Sequence, residues 1–141
     1  MVSIDNPFEQ NKKIDVSVVA LSSSKLDIDV KNDKPKINVK LNLRGKVISE
    51  PDNLSLSYDE TLDKLNAIFK DSLSKKITNY LYKTSKEYDS DINEFYRTAK
   101  RKFKTTSDFD NYNWAQKYKD AEFNVEFNDN MISSLLIKTQ N

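Results

Sequence analysis

Hydrophobic and polar residues alternate with a period of two through the first third of the chain. Ile14, Val16, Val18 and Ala20 share one side against Asp15 and Ser17, and Leu26, Ile28 and Val30 follow in KLDIDV. Two strands are predicted, joined through Ser22-Ser23-Ser24. KNDKP then supplies turn residues and a helix-averse position before Pro35. Beyond it, Ile37, Val39, Leu41 and Leu43 alternate with Asn38, Lys40, Asn42 and Arg44, as expected of one strand with a wet face. Residues 1–13 read as an extended or linker segment. Gly45 is the single glycine. It is expected to serve a left-handed conformation or a bulge, or else to be an ordinary loop glycine.

ISEPDNLSLS reads as irregular or short extended chain, with Glu50 exposed or hydrogen-bonded to the next element. A helix start follows at Ser57 or Asp59, either of which can serve as N-cap. From Glu60 to Lys86 the period changes: Leu62, Leu65, Phe69, Leu73, Ile77, Tyr80, Leu81 and Thr84 recur at three or four. One amphipathic helix on the order of 40 Å long is predicted, with Lys64, Lys70, Asp71, Lys75 and Lys76 on its solvated face.

In EYDSDINEFYRTAKRKF, residues 87–103, the spacing of Ile92, Phe95, Tyr96, Ala99 and Phe103 predicts a second helix over 91–103 that starts near Ser90 or Asp91. A third covers 108–119, with Tyr112, Ala115 and Tyr118, or Phe109 with Trp114, facing inward. AEFNVEF alternates again, and a turn at Asn128-Asp129-Asn130 leads into a last extended segment, MISSLLIK. Strands, then helices, then strands predict an α+β fold in a single domain. Its mostly antiparallel sheet would carry the long helix and two shorter helices on one face.

Composition narrows the chemistry. Seven Phe, seven Tyr and one Trp give the chain the large apolar side chains that a folded core needs. With 23 Lys+Arg against 22 Asp+Glu there is no global field to recruit nucleic acid, and none is expected as a partner. The sequence has no Cys and no His, so thiolate chemistry, the usual general base at neutral pH and most familiar zinc mechanisms are excluded. One Gly in 141 residues excludes phosphate-binding glycine loops, and no cofactor is expected. The longest apolar runs fall far short of the roughly 20 residues of a spanning helix.

The acidic start of EYDSDINEF is a candidate site, but Asp91 and Glu94 would lie one exposed helical turn apart. Nothing desolvates them there, and the helix dipole accounts for their presence. Asp89, Asp91 and Asn93 alternate as in a calcium loop but lack its glycine and distal acid. The same dipole is complemented at the other end by Arg97, Lys100, Arg101, Lys102 and Lys104, a cluster that also suits an anionic membrane surface or an acidic partner.

Taken in order, these segments resemble the C-terminal domain of the Ger(x)C family, the C subunit of spore germinant receptors. The resemblance rests on the strand ending in a glutamate, INVKLNLRGKVISE with Glu50, and on LSKKITNYLYKTSKEYDSDINEF, with its Asp91, Ile92 and Phe95. Trp114 in NYNWAQKY and the strand of Phe123, Val125 and Phe127 complete it. The glycine that the family often places after that strand and the Pro before the Trp are missing. The resemblance implies a non-enzymatic protein acting through protein contacts in germination. Its partners would be the membrane-embedded A and B subunits, at the outer surface of the spore inner membrane. The membrane attachment would be an N-terminal lipid anchor outside this chain, and Glu50, Asp91, Ile92, Phe95 and Trp114 would be structural. A module that binds the nutrient directly is the alternative, and an enzyme built on Asp or Glu a remote third.

Overall fold

The computed structural model describes residues 1–48 and 58–132. Four strands of alternating character come first, β1 (Val2–Asp5), β2 (Lys13–Ala20), β3 (Lys25–Asp29) and β4 (Lys36–Leu41), followed by β5 (Leu43–Val47). The helices are α1 (Tyr58–Lys86), α2 (Tyr96–Lys100), α3 (Thr106–Tyr112) and α4 (Trp114–Tyr118), and β6 (Glu122–Phe127) follows them. The α+β class and the long helix agree with the sequence. The strands form two three-stranded sheets, ordered β1-β2-β5 and β3-β4-β6. Pairing is antiparallel between β1 and β2, β2 and β5, and β3 and β4. Along β6 the bonds from Glu122 N to the Pro35 carbonyl and from Asn128 N to the Leu41 carbonyl advance the same way on both strands. β6 is therefore parallel to β4.

The described residues gather into two compact units, and the chain alternates between them. Residues 1–23, 41–74 and those from 127 onward make one; residues 24–40 and 75–126 make the other. In the first unit Ile4, Ile14, Val16, Val47, Leu65, Phe69, Met131 and Ile132 are almost wholly buried. β1, within the segment read as extended or linker, is a paired strand: Ile4 sits opposite Ile14, and the Asn6 side chain accepts from the Phe8 and Glu9 amides to turn the chain back.

The single strand expected over Ile37–Leu43 is interrupted at Asn42. There β4 gives way to β5, and the Asn128 side chain takes over as the partner of Leu43. It accepts from the Leu43 amide at 2.8 Å and donates to its carbonyl at 3.0 Å. Asn66 holds Ile132 in the same way, accepting from its amide at 2.8 Å and donating to its carbonyl at 2.7 Å. A side-chain amide carries the donor and acceptor of a peptide group, so it satisfies both backbone groups where a ladder stops.

Gly45 has no positive φ. The requirement at this position is space. A Cβ there would stand 2.9 Å from Val16 Cγ1 and 3.3 Å from both Ile132 Cγ1 and Phe69 Cε1. Its amide donates to the Met131 carbonyl, and it bridges Ile132 in parallel.

α1 spans 29 residues with Asp59 and Glu60 in its first turn and Lys83 and Lys86 in its last, matching its dipole. Asp59 thus lies inside the helix, while Ser57, Glu50 and most of MISSLLIK fall outside the described residues. Leu65, Phe69, Leu73, Leu81 and Thr84 are buried as the period requires, but Tyr80 is exposed.

We expect Gly45→Ala to destabilise the chain by about 1–3 kcal/mol through overpacking. Lys46→Ala, at an exposed neighbour, should cost under about 0.5 kcal/mol. Urea denaturation of both variants checks this, and equal midpoints would refute the crowding at Gly45.

Candidate functional site

The stretch that carries both the acidic and the basic candidates lies in the second unit. Its geometry differs from the helix expected over 91–103. Only Tyr96–Lys100 is helical; Glu94 adopts a left-handed φ of 56° that a continuous helix forbids, which keeps residues 91–94 out of it. A non-glycine residue there is strained by roughly 1–2 kcal/mol, and the Asp91 carboxylate supplies the compensation. One of its oxygens accepts from the Phe95 amide at 2.9 Å. The other accepts from the Tyr96 amide at 2.8 Å and from Trp114 Nε1 at 2.9 Å. The Glu94 amide closes the turn on the Asp91 carbonyl at 3.1 Å.

Beneath this carboxylate lies an aromatic core. Trp114 packs on Tyr118 at 5.7 Å between ring centroids, Tyr118 on Phe95 at 6.4 Å and on Phe123 at 6.0 Å, and Phe123 meets Tyr82 edge-on at 5.0 Å. The Thr84 hydroxyl donates to the Leu81 carbonyl, so the Tyr118 hydroxyl donates to Thr84 at 2.8 Å. Burial pushes the Tyr118 phenol up, and the Asp91 charge raises it further. Asp91, Phe95, Trp114 and Phe123 therefore converge in one place. Ile92 does not: it is 55% exposed, although the helical spacing placed it inside.

The helix expected over 108–119 is two helices, α3 and α4, divided at Asn113 by a left-handed φ of 57°. Within α4, Trp114 and Tyr118 sit one turn apart and both turn inward, while Ala115 stays exposed.

The cations face elsewhere. α2 buries Ala99 beside its buried N-cap Phe95 and packs on β3, so its outer side carries Tyr96, Arg97 and Lys100, followed by the C-cap Arg101. Arg97 pairs with Glu94 at 3.2 Å and lies over the Tyr96 ring. Lys102 pairs with Asp27 of β3 at 2.8 Å, and its hydrogen bond and charge hold the Asp27 carboxyl below its usual range. Lys102 also lines a groove of about 250 Å³ with Asp27, Asp29 and Lys31. Lys100, Arg101 and Lys104 are exposed and have no carboxylate partner among the described residues. The Asp27 partner of Lys102 and the outward turn of Ile92 and Tyr96 carry no local sequence signal, since each depends on where a distant or strained segment lies.

In the first unit, Asp59, Leu62, Asp63, Asn66, Asn130 and Ile132 line a recess of about 430 Å³. Among the described residues no cluster of three or more acidic side chains is arranged to hold a metal, and no helix is long and apolar enough to cross a membrane.

Residues 1–134 match the model of the family described as spore germination B3/GerAC like, C-terminal. The fold is similar to the crystal structure of the GerBC protein, with a TM-score of 0.62 at 16% identity. That likeness covers 88% of this chain and 42% of GerBC, so the chain spans less than half of that protein's length. No curated protein matches the chain.

Asp91→Ala strands two backbone amides and an indole N–H, and the expected loss is about 2–4 kcal/mol in urea denaturation. Trp114→Phe should cost less, and the double variant should cost less than the sum of the two. Strict additivity would mean that the bond between them contributes nothing.

Alkaline titration offers a second check. The folded chain keeps the Tyr118 proton to a higher pH than the unfolded chain does. Its contribution is therefore complete below pH about 10 and is lost as pH rises past that value. Tyr118→Phe should flatten that alkaline loss of stability, and an unchanged slope would show that Tyr118 has no part in it.

Proposed function

Because the chain belongs to the family described as spore germination B3/GerAC like, C-terminal, we propose that it is the C-terminal domain of a germinant-receptor C subunit. It works without catalysis, through protein contacts, as one domain of a larger protein. The family match over residues 1–134 carries this reading. The partners are the membrane-embedded A and B subunits, and the place is the outer surface of the spore inner membrane. Attachment is through an N-terminal lipid anchor, in keeping with the absence of a membrane-crossing helix among the described residues.

Within the domain, Asp91, Phe95 and Trp114 have a structural role, as does Glu50. Ile92, from the same family pattern, and the cluster of Arg97, Lys100, Arg101, Lys102 and Lys104 face outward and make contacts. The direct test is affinity purification of the tagged full-length protein from spore membranes in mild detergent. The A and B subunits should co-purify, and their absence under conditions that keep A and B together would overturn the reading.

A second reading, direct binding of a small nutrient, rests on the 430 Å³ recess, whose size falls in the range of ligand sites. Its lining, mainly Asp and Asn side chains without an aromatic wall, favours it less. A thermal-shift panel of amino acids and sugars separates the two readings. A ligand at 100 times its Kd adds about 2.7 kcal/mol of stability, whereas a flat panel removes this reading and leaves the first intact.

A further inference from the structure

Between Ile92 and Thr105 five cations, Arg97, Lys100, Arg101, Lys102 and Lys104, stand against one carboxylate, Glu94. Glu94 is taken up by Arg97, and Lys102 by Asp27. Lys100, Arg101 and Lys104 stay uncompensated among the described residues. Beside them the chain exposes Ile92 at 55% and Tyr96 at 37%. Helical spacing sets Tyr96 on the same side of α2 as Lys100, and Arg97 on the same side as Arg101. Ile92 is held just ahead of them by the Asp91 turn.

We propose that this exposed segment, Ile92 and Tyr96 with Lys100, Arg101 and Lys104, docks on an anionic lipid surface. Three features select lipid over an acidic protein. Two of the three uncompensated cations are lysines, which protein interfaces disfavour but polybasic membrane-binding segments use freely. Their charges lie on long exposed side chains, which suits diffuse, laterally mobile headgroups better than fixed carboxylates. The apolar part is one aliphatic residue and one tyrosine, enough to enter the headgroup boundary, where a ring with a polar tip is at home. The strained turn holds Ile92 out, so the lipid meets a preformed surface and little ordering opposes binding.

Co-sedimentation of the chain with vesicles tests this directly. Vesicles of phosphatidylcholine containing roughly 30% phosphatidylglycerol should bind it at least about tenfold more tightly than phosphatidylcholine alone, and salt should weaken the binding. Replacing all three cations (Lys100→Glu, Arg101→Glu, Lys104→Glu) should abolish the preference. Ile92→Ser with Tyr96→Ser should lower affinity while leaving the salt dependence in place. Circular dichroism melts confirm that each variant stays folded, because all five side chains are exposed. Equal binding to both vesicle types, no binding, or full binding by the triple variant would overturn the proposal. So would a triple variant that loses the A and B subunits in co-purification when the parent chain ignores vesicles, which would identify an acidic protein partner. The proposal does not depend on the subunit assignment, because vesicle binding and co-purification fail separately.

Discussion

A single carboxylate organises the second unit. Asp91 gathers two consecutive backbone amides and the indole N–H of a residue 23 positions away. An ionised acceptor makes the stronger class of hydrogen bond, and here it makes three. Without it the Glu94 backbone has no reason to leave the helical region, and the indole N–H of a tryptophan only 6% exposed would have no partner. The turn that results sends Phe95 into the aromatic core and Ile92 away from it. The buried packing and the exposed face thus have one origin.

The first unit solves a different problem, that of strands which stop or change partners. Asn66 and Asn128 each bind both backbone groups of one residue, Ile132 and Leu43, standing in for the missing neighbour strand. Gly45 lets the Phe69 ring and the Val16 and Ile132 side chains close over the same backbone. The amides keep polar groups satisfied, and the absent Cβ keeps the apolar contact tight.

Period and order made the α+β class, the span of α1 and the strands β2, β3 and β6 legible in the sequence. Spacing alone could not show where it would be broken. Ile92, Phe95, Tyr96 and Ala99 fit a helix as well as any residues in the chain, yet left-handed positions at Glu94 and Asn113 divide both predicted helices. Each such position costs energy locally, and hydrophobic spacing does not register the polar contacts that offset it, the Asp91 carboxylate around Glu94 and the Asp110 carbonyl at Asn113. Tyr80 and Tyr96 were misplaced for a related reason: the period assigns a face, but only the packed neighbours decide whether that face is covered. At Gly45 neither the left-handed conformation or bulge nor the loop glycine that the sequence suggests is found; the constraint is a crowded side. Asp91, Phe95 and Trp114 are visible in the sequence as a pattern, and in the structure Asp91 bonds both the Phe95 amide and the Trp114 indole.

The parallel run of β6 beside β4 and the Asn128–Leu43 bonds, whose partners lie 85 residues apart, bear on how the chain reaches this state. Closing a loop of that length costs roughly 4 kcal/mol of chain entropy before any contact offsets it. Neither unit is drawn from a contiguous stretch, so a growing chain has made most of both before either can be completed. Both await the segment that follows α4. Until that segment leaves the ribosome, β4 has no β6 beside it, β5 no Met131 carbonyl for Gly45, and the apolar sides of α1 no finished sheet. Folding is therefore a late, collective step, and its rate should be set by long-range strand pairing instead of by the fast formation of the long helix.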